Sequence, residues 1–236
     1  MREFNFSRRR FLTGSATALS GLALSLGLAR YGFANAAAAQ EAIDKYQPVF
    51  FNEQEWKAVI ALCDRLIPDD ETGPGAVAAM VPVYIDRQMG TEYANGGLWY
   101  MHGPFYPETA PEFGYQYKYT PRDIYRIGLS EVAAHCKSKH DKTFDTLEEK
   151  PQTDLLKGLE DGSIELEAIP GPVFFSQLLA NVKEGFFADP MYGGNSGMVG
   201  WKMLGFPGAQ GDYREVITKH NQEITIAPVS IKRQEG

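Results

Sequence analysis

Reactive centres are scarce in this chain. Its 236 residues include two cysteines, Cys63 and Cys136, and four histidines, His102, His135, His140 and His220. No CxxCH occurs, which excludes a covalently attached c-type haem in this chain, and no CxxC pair completes a zinc set. His135 and His140 are five positions apart, a poor spacing for two imidazoles to share a metal on one helix face. GxGxxG, GxSxG and HExxH are missing too, which removes the dinucleotide fingerprint, the hydrolase elbow and the zincin motif. The Gly193-Gly194-Asn195 run has no Lys or Ser/Thr at the spacing of a phosphate loop. Cations are outnumbered. The 23 Lys and Arg against 30 Asp and Glu give a formal charge of −7, the opposite of the clustered basic surface that nucleic acid requires.

What is present begins at the N-terminus. In Ser7-Arg8-Arg9-Arg10-Phe11-Leu12 a twin-arginine pair, Arg8 and Arg9, precedes a mildly apolar stretch with no charge between Arg10 and Arg30. Small residues follow at Ala34-Asn35-Ala36 and Ala37-Ala38-Ala39. This is the order of an export leader, and the paired arginines assign it to the Tat route, which carries folded cargo. The competing reading is a membrane anchor; Gly14, Ser15, Thr17, Ser20, Gly21, Ser25 and Gly27 dilute the stretch too much to favour it. Residues 1–39 are therefore expected to be a cleaved Tat signal and the mature chain to be periplasmic. The leader holds five arginines and one acid, so its removal takes the formal charge from −7 to −11. Such a surface fits a basic protein partner or plain solubility, and argues against docking on anionic lipid. In an oxidising compartment a Cys63–Cys136 disulfide is the default expectation, with bridging to another subunit as the alternative.

The rest reads as a mainly α, single helical domain over residues 52–236, with long ordered loops rich in aromatics, glycine and proline. Residues 40–51 read as a linker. Asn52 with Glu55 forms a capping box. Trp56, Val59, Ile60, Cys63, Leu66 and Ile67 recur at helical spacing up to Pro68. A second helix is expected over residues 81–89. Thr120-Pro121-Arg122-Asp123 starts a third, which ends near Lys139. A fourth covers residues 147–160 and closes at Gly162. A fifth covers residues 172–187, with Phe174, Leu178, Val182 and Phe186 making one apolar stripe. The tail over residues 223–231 is the one candidate strand. Between Gly90 and Tyr119 glycines and prolines break every period, yet Trp99, Tyr106 and seven other aromatics crowd the segment. Ring systems in such number need something to pack on, either the chain's own body or a partner.

The densest feature lies late. Glu184-Gly185-Phe186-Phe187-Ala188-Asp189-Pro190-Met191-Tyr192-Gly193-Gly194-Asn195 is followed by Gly200-Trp201-Lys202-Met203-Leu204-Gly205-Phe206. Two readings, which are not exclusive, fit it. One is a glycine turn after a helix that folds Trp201, Leu204 and Phe206 back on the core. The other is a protein interface, whose materials are aromatics and methionine. On the second, the contact candidates are Phe186, Phe187, Asp189, Met191, Tyr192, Asn195, Trp201, Met203 and Phe206, with Trp99 and Tyr106 from the aromatic loop.

These late strings, with Leu66-Ile67-Pro68-Asp69, Pro74-Gly75-Ala76, Tyr84-Ile85-Asp86 and the leader, resemble the gluconate 2-dehydrogenase subunit 3 family. The resemblance implies a small, non-catalytic subunit without a catalytic, cofactor or metal site of its own. It further implies a large partner subunit that holds FAD and oxidises the sugar or sugar acid. A multihaem cytochrome c subunit, with haem c, would carry electrons onward at the inner membrane. The small subunit would take the large one through the Tat translocon and stabilise it. Two other classes stay open: a self-sufficient periplasmic oxidoreductase built on His102, Tyr106 and acids near Asp189, and a solitary binding or scaffold module.

Overall fold

The computed structural model describes residues 41–222 and 225–231. The expected leader, with Arg8 and Arg9, lies outside the described residues. The chain forms α1 (Glu53–Leu66), α2 (Val81–Gln88), α3 (Pro121–His140), α4 (Glu149–Asp161), α5 (Gly171–Phe187) and the short α6 (Val199–Leu204), joined by long loops and 3-10 turns. The fold is mainly α, as the sequence pattern indicates, with no strand among the described residues. The tail expected as a strand makes only an isolated bridge, Gly208 to Val229. No helix among the described residues is long and apolar enough to cross a membrane.

Local chemistry sets the helix boundaries. Asn52 caps α1 by accepting from the Glu55 amide at 2.9 Å, and Glu55 returns the bond to the Asn52 amide at 2.9 Å. Thr120 and Asp123 close the same box on α3, with Pro121 at its first position. α4 ends at Gly162 in the left-handed region, φ 76°, where a residue without Cβ carries no strain. It begins at Glu149 rather than 147, because Leu147 is extended and closes the 3-10 turn Phe144–Thr146.

α5 is the hub. It packs against α4, α2, α3, α6 and α1. Phe174, Leu178, Val182 and Phe186 are all at most 1% exposed, which confirms the stripe. Gly128 lets α3 approach, since a Cβ there would collide with the Phe174 ring.

Residues 41–51, most of the expected linker, are packed rather than free. Residues 41–45 are helical, and Ile43 and Phe51 are buried in the core. The cause is Asp86 of α2, which is 0% exposed. Its carboxylate accepts from Tyr46 Oη at 2.8 Å, Val49 N at 2.8 Å, Phe50 N at 3.0 Å and Phe51 N at 3.1 Å. Burial, then the bond to Asp86, pushes the Tyr46 phenol up to about 12. Arg126 stacks on the Phe50 ring at 3.9 Å and donates to the Phe50 carbonyl at 2.7 Å. It also pairs with Glu55, so the segment is tied to α3 as well.

The expected disulfide is not formed: Cys63 and Cys136 are both free and buried. Cys63 stands on α1 and Cys136 on α3, and both thiols lie in the core at 0% exposure. Burial raises the Cys63 thiol well above its ordinary range and moves Cys136 to about 11. Thiolate, the reactive form, is therefore scarce at neutral pH.

Two outcomes follow from these contacts. Asp86→Ala strands three amides and a phenol and should lower unfolding free energy by about 3 kcal/mol, measured by urea denaturation. Alkylation without reductant should label neither cysteine in the folded protein and both after denaturation. A denatured chain that resists labelling would show a bridge after all.

Candidate functional site

The late glycine-rich string is built around the end of α5. The last carbonyls of a helix have no partner within it, and here side chains from downstream supply them. Trp201 Nε1 donates to Phe187 O at 2.7 Å. Asn195, in the left-handed region at φ 47° and fully buried, donates through Nδ2 to Ala188 O at 2.9 Å. Its Oδ1 accepts from Gly200 N at 2.8 Å, which draws α6 back onto α5. The approach is so close that a Cβ on Gly194 would collide with the Gly185 carbonyl, and one on Gly200 with the Phe186 carbonyl. Gly185 leaves room for the Tyr84 ring of α2, 2.7 Å from where a Cβ would stand.

Asp189 performs a second closure. Its Oδ1 accepts from Met191 N at 3.0 Å and Ser230 Oγ at 2.6 Å, and its Oδ2 from Ile231 N at 2.8 Å. Burial opposes its ionisation, but the donors from Ser230, Ile231 and Met191 outweigh burial and hold the carboxyl below its usual range. Beside it, Ala209 N donates to Val229 O at 2.8 Å and Val229 N to Pro207 O at 3.2 Å. Residues 225–231 thus lie as a strap across the end of α5.

The aromatic loop is anchored on a polar network that runs along α5. Gln177 Nε2 donates to Tyr93 Oη at 2.6 Å and to Asn181 Oδ1 at 2.8 Å. The buried Asn181 donates through Nδ2 to Tyr93 Oη at 2.9 Å and to Glu184 Oε2 at 2.8 Å, and accepts from Tyr125 Oη at 3.2 Å. From Tyr93 the rings continue outward. Trp99 stands edge-on to Tyr93 at 6.0 Å, Tyr115 lies 4.9 Å from Trp99, and Tyr117 5.5 Å from Tyr115.

The contact candidates named from sequence divide accordingly. Phe186, Asp189, Asn195 and Trp201 are buried; they cap, close and fill, and cannot face a partner in this conformation. Met203 and Trp99 are half-buried, Met203 against the core. Phe187, Met191, Tyr192, Phe206 and Tyr106 are exposed. Tyr100, at 84% exposure, and Phe113, at 69%, extend the apolar surface. Sequence reasoning placed both in the aromatic loop but not among the contact candidates, and that membership was their only signal. Glu184 was also not singled out. Its spacing from Gln177 and Asn181, seven and three positions, is the helical sign that the three share a face.

The alternative catalytic reading drew on His102, Tyr106 and acids near Asp189. His102 is exposed and lies beside the Tyr100 ring at 5.4 Å. No hydrogen bond joins its side chain or that of Tyr106 to Asp189, among the described residues. The described residues hold no group of three or more His, Cys, Asp and Glu placed to share a metal ion. A recess of about 180 Å³ opens elsewhere, between Asn52, Ala58, Leu129 and Phe144.

The architecture is that of a helical body with a fixed, aromatic-lined end. The family model for gluconate 2-dehydrogenase subunit 3 matches residues 53–208, and the chain belongs to that family. No curated protein and no solved structure matches the chain. The matched region ends at Gly208, so the strap formed by residues 225–231 lies beyond it.

Two measurements probe this end of the molecule. Gly194→Ala and Gly200→Ala should each cost about 2–3 kcal/mol through overpacking. Gly205→Ala, at φ 66° with open space around it, should cost about 1 kcal/mol of backbone strain. Asp189 titrates below its unfolded value, so its stabilisation is full above about pH 4 and is lost as pH falls through the folded-state pKa. Acid denaturation of Asp189→Asn should accordingly be shallower than that of the wild type in that window, because the variant has no such carboxyl to protonate.

Proposed function

We propose that the chain is the non-catalytic small subunit of a membrane-associated, FAD-dependent gluconate 2-dehydrogenase or a related polyol or sugar dehydrogenase. Family membership gives the coarser statement, a subunit 3 role in a dehydrogenase complex. The proposal adds a division of labour. The large subunit binds FAD and oxidises the substrate, a multihaem cytochrome c removes the electrons, and this chain supplies the Tat leader and stabilises the flavoprotein. It works in the periplasm, at the inner membrane, through that complex.

One observation carries the reading. Side chains that could have been catalytic, such as Asp189 and Asn195, are consumed in capping and closing the fold, while large hydrophobic side chains stay in water on the same end of the molecule. Phe187, Met191, Tyr192 and Phe206 are 39%, 43%, 49% and 46% exposed. Apolar surface of this kind marks a protein contact.

Co-expression provides the test. With this chain present, the flavoprotein should be exported and active; with Arg8→Lys and Arg9→Lys together, it should remain in the cytoplasm. Equal amounts of exported, active flavoprotein with and without this chain would overturn the escort role.

A further inference from the structure

The exposed rings near the end of α5 and those of the aromatic loop are joined. Asn181 holds both Glu184 Oε2, at 2.8 Å, and Tyr93 Oη, at 2.9 Å; the Tyr84 ring, only 9% exposed, packs on the adjacent Gly185, and the backbone at Gly194, two positions from Tyr192, presses on the Gly185 carbonyl. Tyr93 leads on to Trp99 and Tyr115. A tyrosine-rich strip therefore runs from the exposed Tyr192 past Glu184 to the half-buried Tyr93 and the loop, with Tyr84 buried under it. Beside Tyr84 and Tyr93 stands Glu184. It is exposed and makes no ion pair among the described residues, yet it is held by Asn181, which is itself 0% exposed. A carboxylate oriented in this way loses little freedom when it meets a cation. A ring of phenols would shield that contact from water, which is the setting in which charged pairs at interfaces gain strength.

Resting on the subunit role proposed above, we propose that this strip is the docking surface for the companion dehydrogenase subunit, with Glu184 receiving a lysine or arginine from a basic-rimmed face of that subunit. Charge selects this occupant. A second copy of a chain with formal charge −7, or −11 without its leader, would bring like charge to like. An anionic lipid surface is disfavoured for the same reason. Tyrosines, whose hydroxyls keep hydrogen-bonding needs, suit a protein surface better than the interior of a bilayer.

Tagged full-length chain is co-expressed with the other dehydrogenase subunits and captured at low and high salt, and the co-purifying flavoprotein is quantified. Glu184→Lys and Tyr192→Ser should each reduce capture by roughly tenfold or more. Glu184→Gln should reduce it less, and its binding should be less sensitive to salt than that of the wild type. Glu160→Lys makes the same charge change on the exposed side of α4 and should leave capture unchanged. Tyr192 is exposed, so its variant should melt with the wild type; Glu184→Lys removes the acceptor of the buried Asn181 amide while Glu184→Gln keeps one, so the melting temperature of each is measured beside its capture. A variant that melts early is set aside, and Glu184→Gln then decides.

If the wild type captures the flavoprotein and the strip variants capture it equally well, the surface assignment falls and the subunit role stands. If the wild type captures no dehydrogenase subunit, both fall. Gel filtration of the isolated chain and flotation with phosphatidylglycerol vesicles complete the test. A dimer, or vesicle binding, that the same variants abolish would assign the strip to another occupant and overturn the proposal.

Discussion

The last turn of α5 is the constraint on which the candidate site depends. A helix that ends inside a protein must have its final carbonyls met, and this one meets them with Asn195 and Trp201, reached through a chain path that only glycine permits. Gly194 and Gly200 lie against the helix backbone itself. That contact fixes where α6 begins. It also turns Phe186 inward to 1% exposure while its neighbour Phe187, one position on, stays 39% exposed. The division between core and surface in this segment thus comes from backbone geometry more than from residue type.

A second ordering principle is the burial of polar groups in sets. Among the described residues, Asp86, Asn181, Asn195 and Asp189 are the buried polar side chains, and each joins segments distant in sequence. Asp86 gathers the N-terminal segment, Asn181 the aromatic loop, Asn195 the start of α6 and Asp189 the C-terminal strap. Buried polar groups are tolerated only when fully partnered, so each tends to lock one arrangement of its loop. This is how long stretches without regular structure remain ordered around a core of modest size.

The helices were legible in the sequence because their signals are local: the Asn52 and Thr120 boxes, Gly162, and the stripe of α5 sit at the boundaries they define. The role of the late string was half legible. Its glycines announced a tight turn, but which aromatics point inward depends on a helix end reached through several loops, and a list of interface candidates mixed Trp201 and Asn195 with Tyr192. Two expectations failed for reasons that are not local. The linker proved to be part of the core because Asp86, some forty positions away, had no visible partner in the sequence. The cysteines are unbonded, and their number alone does not say whether two thiols will meet.

The strap has a further meaning for how this end of the molecule opens. Residues 225–231 are held by bonds to the Asp189 carboxylate and by one isolated bridge, beside a helical body that shares one core. A segment with so few contacts detaches at a lower free energy than the body unfolds. Exchange of the Ala209 and Ile231 amides, which bond across this contact, therefore reports release of the strap separately from loss of the fold.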